Sequence, residues 1–239
     1  MTARKASPPT RPLTLAVDVG GTGIKALILD ATAQPITERQ RLETPRPAIP
    51  TAVLTVIRSL ASSQGNFDRV SVGFPGVVKQ GVVQTAPNLH PEWHGYPLAK
   101  QLEKALRKPV RVANDSGVQG YGVIERRGVE MVITLGTGFG SALFVDGRRV
   151  PNLELAHHPF RKQKTYEEEL GIEALQAHGK KKWNARLAEA LESLARTFNY
   201  DRLYIGGGNA EKVTLELPPN VRLVSNIAGL LGGVAIWDE

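Results

Sequence analysis

The sequence predicts an α/β fold of two similar lobes, and two observations support this prediction. A strand, a glycine-rich turn and a second strand occupy residues 14–30, and the same order recurs in MVITLGTGFGSALFVDG at 131–147. After each hairpin, helical segments alternate with short apolar runs that are typical of strands. We therefore expect a first lobe at residues 13–114 and a second lobe at 115–239, each beginning with a hairpin.

Each element follows from a local pattern. Strands are predicted where apolar residues run together or alternate: TLAVDV, IKALILD, PITERQRLET, RVSVGFPG, VRVAND, the two runs of the second hairpin, RLYIGG and VRLVS. Helices are predicted at 51–62, 98–107, 165–178 and 182–198, in SGVQGYGVIE despite its three glycines, and at the end of the chain. Pro109 stops the helix at 98–107. Residues 1–12 are basic and proline-rich and are predicted to be a disordered leader.

The composition is that of a globular protein with excess positive charge. Hydrophobic residues make up 41% and charged residues 22% of the 239 positions, and the formal net charge is +7. No apolar run approaches the roughly 20 residues that cross a bilayer, and no signal peptide is expected. The absence of cysteine excludes disulfides, thiol catalysis and cysteine-ligated zinc. We expect a cytoplasmic enzyme, and basic groups such as Arg161, Lys162 and Lys164 leave a polyanionic substrate open.

The first glycine turn does not fit the common nucleotide-binding loops. GTGIKA at 21–26 matches G-x-G-x-x-G/A, but IKALILD predicts a strand where a dinucleotide loop must open a helix. The Walker A spacing cannot be written onto this stretch. What remains is a hairpin tip, either an ordinary tight turn or a nest of amides that binds phosphate. The second turn at 135–141 favours phosphate binding, with Thr22 and Thr137 able to donate their hydroxyls. Together the two turns indicate a two-lobed phosphotransferase.

Several motifs in the same order resemble a known family. DVGGTGIK, ITLGTGFGSALFVDG and YIGGGN resemble the phosphate-1, phosphate-2 and adenosine motifs of the actin-like sugar-kinase superfamily. GFPGVV, TAPNL, VRVAND and LELAHH resemble the ROK (repressor, ORF, kinase) family, and the short chain without a cysteine-rich zinc motif resembles its polyphosphate glucokinases. The resemblance runs from about residue 14 to residue 212. It implies a two-lobed actin-like, ribonuclease-H-like sugar-kinase fold.

The resemblance implies which residues bind the sugar and remove its proton. Asp115 lies where the family has its catalytic base, and a carboxylate can accept the proton of an attacking hydroxyl. Outside these motifs an Asn-Asp pair is typical of a turn or helix cap. Sugar binding is implied at Asn88, Asn114, Asp115, Glu154, His157 and Glu167. The register of Glu167 stays open because Glu167–Glu169 are consecutive glutamates. Ala156 stands where the family has glycine, which leaves the pocket shape open.

The resemblance likewise places the phosphoryl donor at the glycine turns. Phosphate binding is implied at Asp18, Gly20, Gly21, Thr22, Gly23, Lys25, Gly136, Thr137, Gly138 and Gly140. Asp18 is expected to position Mg²⁺ through water, and Lys25 adds a charge unless its strand directs it away. Gly206, Gly207 and Gly208 lie where the family seats a nucleoside, although a plain strand-to-helix turn has the same composition. No zinc is expected, because the family's zinc is held partly by cysteines.

The leading prediction is a kinase that transfers a terminal phosphoryl group from inorganic polyphosphate, with ATP as a second donor, to the 6-hydroxyl of glucose. An ATP-dependent kinase for glucose, mannose or fructose stays open. A non-catalytic sugar sensor or repressor is disfavoured by Asp115, and only about a dozen residues precede the first strand, too few for a DNA-binding helix-turn-helix. We expect no nucleic-acid or membrane partner, and the resemblance alone implies a homodimer.

Overall fold

The first lobe is built on a five-stranded sheet. The computed structural model describes residues 10–150, 153–225 and 228–238. The strands of this lobe are β1 Thr14–Val19, β2 Gly23–Leu29, β3 Gln40–Glu43, β4 Arg69–Phe74, the short β5 Val78–Lys79 and β6 Val82–Val83, and β7 Val110–Asn114. The sheet order is β3-β2-β1-β4-β7, with β2 antiparallel to both neighbours and β4 parallel to β1 and β7. Helices α1 Pro50–Gln64 and α2 Leu98–Leu106 pack with one face of it around the buried Trp93.

The second lobe repeats this plan. Its elements are α3 Asp115–Tyr121, β8 Val129–Leu135, β9 Phe139–Val145, β10 Arg148–Arg149, β11 Pro159–Arg161, β12 Lys164–Thr165, α4 Tyr166–Leu170, α5 Ile172–Phe198, β13 Arg202–Gly206, β14 Val221–Leu223 and α6 Ala228–Leu231. The sheet order β10-β9-β8-β13-β14 has the same pattern of antiparallel and parallel pairs as the first sheet. The predicted two-lobed α/β fold with a leading hairpin in each lobe is confirmed. None of the helices within the described residues is long and apolar enough to span a membrane.

Two predicted helices have different bounds in the structure. The segment predicted at 165–178 contains the short α4, then Gly171, and then the start of α5. The long α5 is bent at Gly179, where φ is 76° and ψ is 161°. A side chain rarely adopts this positive φ, whereas glycine does so readily. The break between the predicted helices is therefore a kink within one element.

The end of the chain crosses back to the first lobe. Leu230 packs with Ala16 and Leu27 of the first sheet. Trp237 donates its indole N–H to Ser71 at 2.8 Å and lies between the guanidinium groups of Arg69 and Arg111, at 4.8 and 5.0 Å. Residues 228–238 are thus anchored on β4 and β7, although their sequence position follows the second lobe.

The start of the described chain is also tied to the first lobe. Most of the predicted leader, residues 1–9, lies outside the described residues. Thr10 donates its hydroxyl to Asp30 at 3.0 Å, and Arg11 forms a 3.0 Å ion pair with Asp68. These contacts hold residues 10 and 11 beside the end of β2 and the start of β4, so that part of the predicted leader is attached to the first lobe.

Close packing of the returning segment makes Gly232 sensitive to substitution. A Cβ at this position would overlap the carbonyl oxygen of Val118 in α3. We expect Gly232→Ala to destabilise the protein by about 1–3 kcal/mol, since neither backbone can move without losing contacts. Thermal unfolding checks this, with Gly229→Ala as the control, because a Cβ there has its nearest neighbour at 4.0 Å. Equal melting temperatures for the two variants would contradict the expectation.

Candidate active site

The two glycine turns line a cleft of about 330 Å³. Polar lining residues from the first lobe and the start of α3 are Asp18, Thr22, Lys25, Asn88, Asn114 and Asp115. Polar lining residues from the second lobe are Thr134, Thr137, Ser141, Glu154, His157 and Glu167. The structure therefore brings together all the residues that the sequence predicted for the sugar and the phosphates, and their individual roles stay predictions.

Asp115 begins α3 directly after β7 and lines the cleft. It packs closely on Gly73 of β4, where a Cβ would stand 3.4 Å from the Cα of Asp115. One carboxylate oxygen, Oδ1, accepts the Ser116 amide at 2.7 Å. Desolvation by the surrounding protein, and then the negative charges of Asp18 and Glu154, raise the pKa of Asp115 to about 7. A carboxylate with this pKa can accept a proton near neutral pH.

Asp18 and Lys25 form an ion pair on the cleft side of the first hairpin. They stand directly opposite each other on β1 and β2, and Lys25 Nζ lies 2.9 Å from Asp18 Oδ2. Lys25 therefore does not project away from the site. Because the pair brings opposite charges together, Lys25 offsets part of the negative charge that Asp18 presents to Asp115.

The first glycine turn is held from outside through its carbonyl groups. Thr44 Oγ1 donates to the Gly20 carbonyl at 2.5 Å, and Arg41 Nη2 donates to the Thr22 carbonyl at 2.9 Å. Within the described residues, the amides of Gly21 and Thr22 have no acceptor. In an anion-binding nest the amides of a turn are free to donate to the anion. The first glycine turn has this arrangement, because its carbonyls are hydrogen-bonded and these two amides are free in the described part of the chain.

The second glycine turn is held in the same way by the second lobe. Asn209 Nδ2 donates to the Gly136 carbonyl at 2.9 Å, and the Ile172 amide donates to the Thr137 carbonyl at 3.2 Å. No acceptor for the amides of Thr137 and Gly138 exists in the part of the chain that the structure describes. The cleft thus has two turns with amides available for phosphate oxygens.

Glu154 and His157 line the other part of the cleft, around the short 3-10 turn Leu155–His157. Burial raises the pKa of Glu154, while the neighbouring His157 opposes and Glu167 adds to this effect. His157 is exposed, so its ring nitrogens are accessible from the cleft. Ala156 is buried in the second lobe's core, so its methyl group fills core space at the cleft edge.

The three consecutive glutamates have separate positions. Glu167 Oε2 accepts the Phe139 amide at 3.2 Å beside the second turn. Glu168 forms a capping box with Thr165 at the start of α4. Glu169 is buried and pairs with Arg186 at 3.0 Å. Of the three, Glu167 is the one in the cleft lining, in agreement with the predicted register.

Asn114 has the cap geometry that the sequence left open as an alternative. Its Oδ1 accepts the amides of Ser116 and Gly117 at 3.0 and 3.3 Å, and its Nδ2 donates to Gly76 at 3.3 Å. The Asn side chain therefore fixes the start of α3 and the position of Asp115. It also lines the cleft, and its second Nδ2 hydrogen remains available for a sugar hydroxyl.

The third glycine group is only partly in the cleft. Gly207 and Gly208 are in the lining, whereas Gly206 is buried against the amide group of Gln119. Gly207 has φ 91°, and a Cβ there would overlap the Leu135 carbonyl, so this turn requires glycine. Gln119 was missed by sequence reasoning, although it lies one turn after Asp115 on α3 and lines the cleft.

Ser116 and Thr134 were also missed, and they join two elements of the second lobe next to Asp115. Their hydroxyl oxygens are 3.1 Å apart, joining α3 to β8. Gly140 leaves room for this contact, because a Cβ there would overlap both hydroxyls. The only signal in the sequence was the small residue Gly140 after the second turn.

The carboxylates fit a Mg²⁺ ion that arrives with phosphate. No cluster of three or more His, Cys, Asp or Glu side chains with metal-binding geometry occurs within the described residues. Mg²⁺ typically keeps several waters and uses one or two carboxylates together with substrate phosphates. Asp18 offers such a carboxylate beside the first turn, and a cation there would offset the repulsion between Asp18 and Asp115, which contributes to the raised pKa of Asp115.

The two lobes have the same strand order and enclose a cleft that is lined by carboxylates and by two glycine turns suited to phosphate. This arrangement defines the actin-like kinase class of fold. The match to the ROK family covers residues 14–151. The chain belongs to the ROK family.

Relatives with known names agree with this assignment. The polyphosphate glucokinase of Mycobacterium tuberculosis is 31% identical over 232 residues, which cover 90% of this chain and 88% of that protein. The crystal structure of an inorganic polyphosphate/ATP-glucomannokinase from Arthrobacter sp. strain KM has a TM-score of 0.86 and 28% identity, covering 95% of this chain and 98% of that chain. A ROK family glucokinase from Streptomyces griseus, in complex with glucose and AMPPNP, has the same fold, with a TM-score of 0.78 and 20% identity over 94% of this chain and 98% of that chain.

Proposed function

We propose that the protein is a glucose kinase that takes a terminal phosphoryl group from inorganic polyphosphate and also accepts ATP. The observation that carries this proposal is the position of Asp115, with its pKa raised to about 7, in a cleft lined by two glycine turns with free amides. The likeness to a polyphosphate glucokinase over most of the chain supports the choice of substrates.

In this proposal the sugar lies between Asp115 and the group formed by Glu154, His157 and Glu167. Carboxylate oxygens accept hydrogen bonds from sugar hydroxyls, and an imidazole donates or accepts. Asp115 accepts the proton of the attacking 6-hydroxyl, so that the oxygen can form its bond to phosphorus as the bond to the leaving phosphate breaks. Asn114 acts as a positioning residue, because its cap on α3 orients Asp115.

The donor phosphates lie against the glycine turns. The amides of Gly21, Thr22, Thr137 and Gly138 are placed to donate to phosphate oxygens and to stabilise charge on the transferred group. Mg²⁺, held by Asp18 through water, would neutralise part of the phosphate charge. Gly207 and Gly208 would contact a nucleoside when ATP is the donor, and polyphosphate does not require them.

The proposal also covers the location, the oligomeric state and the partners of the protein. The protein works in the cytoplasm, forms a homodimer and does not bind nucleic acid. The first and last rest on composition and motif content, and the dimer rests on family resemblance.

A donor comparison tests the proposed function. With Mg²⁺ and glucose, we expect glucose 6-phosphate to form faster with polyphosphate than with ATP at matched phosphoryl concentration. The coupled appearance of glucose 6-phosphate measures the rate, and samples without glucose control for hydrolysis of the donor. A higher rate with ATP would instead favour the second candidate, an ATP-dependent hexokinase. No product with either donor would refute the choice of glucose.

A further inference from the structure

Three charged side chains form a row across the first sheet. Asp18 on β1 pairs directly with Lys25 on β2, and Lys25 pairs directly with Arg41 on β3. Directly opposed residues of antiparallel strands place their side chains on the same face of a sheet. Because Asp18 and Lys25 line the cleft, Arg41 belongs to the cleft face as well. With strands about 4.8 Å apart, its Cα lies roughly 10 Å from that of Asp18.

Arg41 is packed onto the outer side of the first glycine turn. Its Nη2 donates to the Thr22 carbonyl at 2.9 Å, and a Cβ at Gly23 would overlap its guanidinium group. The side chain is exposed, and most of the five guanidinium hydrogens remain unused by this contact. Glu43, two residues later on the same strand face, forms no ion pair with it within the described residues.

Arg41 forms no ion pair within the described residues, in contrast to Lys25 and Arg161. Lys25 is paired with Asp18 at 2.9 Å. Arg161, in the basic group at 161–164, is paired with Glu189 at 3.2 Å and with Glu169 at 3.7 Å. Arg41 is thus the cation next to the phosphate turn whose charge is not compensated by a carboxylate in the described part of the chain.

We propose that a linear polyphosphate leaves the cleft over the first glycine turn and crosses the edge of β3, where Arg41 binds phosphates beyond those held by the turns. This inference rests on the proposed function and adds the route of the donor chain. A guanidinium group suits the role, since it binds phosphate oxygens through paired N–H donors. Short donors end before they reach Arg41, so only long chains gain from it.

Chain length is therefore the variable that tests the proposal. For Arg41→Gln we expect KM for long-chain polyphosphate to rise about five- to tenfold, with a smaller rise in KM for tripolyphosphate and ATP, which lose only the support of the Thr22 carbonyl. For Arg41→Lys we expect a smaller rise in KM for long chains than for Arg41→Gln, because the charge remains while the paired N–H donors are lost. The dependence of log KM on log salt concentration should become shallower by about 1 for Arg41→Gln, as one phosphate contact is lost.

The control is Arg196→Gln, which removes the same charge from an exposed position in α5. If KM for long-chain polyphosphate is equal in Arg41→Gln and the unmodified protein, the proposed path of the polyphosphate over β3 is wrong. An equal rise for all three donors in both Arg41 variants would also overturn it, since that result shows a role in holding the turn. Absence of polyphosphate turnover in the unmodified protein would refute the proposed function itself, which is a separate outcome.

Discussion

Replacing Asp115 with asparagine is expected to lower kcat by a factor of about 10²–10⁴, the usual contribution of a positioned general base. Asparagine has nearly the same shape, and its carbonyl oxygen can still accept the Ser116 amide. Glucose binding, measured by titration calorimetry, should change little. The loss therefore falls on the chemical step and not on the fold or the sugar site.

Asp146→Asn is a matched control for this variant. Asp146 is exposed, has φ 48°, and accepts the Gly128 amide at 2.9 Å, all of which asparagine tolerates. Its kcat should equal that of the unmodified protein. Retention of more than about a tenth of the activity in Asp115→Asn would mean that another group accepts the proton.

The pH dependence of the same residue gives an independent measurement. With the pKa of Asp115 at about 7, kcat/KM should rise as the pH increases through 7 and then level off. The free energy of unfolding should change in the opposite direction and fall as the pH rises. The unfolded chain loses this proton near its ordinary pKa of 3.8, whereas the folded protein keeps it to about 7. Ionisation of Asp115 therefore removes up to ~4 kcal/mol of stability as the pH rises between these values. Asp115→Asn should melt at a higher temperature than the unmodified protein at pH 8.

The strands and turns could be predicted from the sequence because the residues that determine each of them are close together in the chain. The hairpin at 14–30 shows both apolar runs and the glycine turn between them, and the same features recur at 131–147. The glycine turns and Asp115 lie next to strand ends, and equivalent strand ends of the two repeats meet at the cleft. The two repeats thus predicted that both glycine turns face one cleft, whereas the prediction of Asp115 as the base came from the family resemblance.

Contacts between distant segments were outside the reach of these patterns. Arg41 lies on a short, fully exposed strand whose sequence resembles a solvated edge, and only its pairing with Lys25 places it beside the first turn. The return of residues 228–238 to the first lobe depends on Trp237 meeting Arg69 and Arg111. No periodicity in either segment encodes these partners.

Asn114 shows how one residue can satisfy two interpretations at once. The helix cap and the sugar contact were alternatives in the sequence, yet the cap uses Oδ1 and leaves one Nδ2 hydrogen free. The cap also determines where Asp115 stands. Sequence reasoning could not separate the two roles, because an asparagine immediately before the aspartate suits both.

Replacing Asp18 with asparagine should have the second-largest effect, a loss of about 10²–10³ in kcat, the usual cost of removing one electrostatic group from a reaction centre. The carboxylate is expected to position Mg²⁺, and asparagine leaves Lys25 without its partner. KM for glucose should stay within a few-fold of its original value, since Asp18 belongs to the first hairpin, where the donor phosphates are proposed to bind. Steady-state kinetics with varied Mg²⁺ should show a higher Mg²⁺ requirement.

The same variant should also move the acid limb of kcat/KM to lower pH. After desolvation, the charge of Asp18 is the largest cause of the raised pKa of Asp115, ahead of the charge of Glu154. Glu154→Gln therefore serves as the comparison: it should raise KM for glucose and shift the acid limb less than Asp18→Asn does. An unmoved acid limb in Asp18→Asn, together with lower thermal stability, would show that Asp18 supports the hairpin without acting on Asp115. A shift in the expected order would mean that the negative charge of Asp18 acts on Asp115, which is the arrangement that a phosphoryl-transfer site needs to hold a cation and a base side by side.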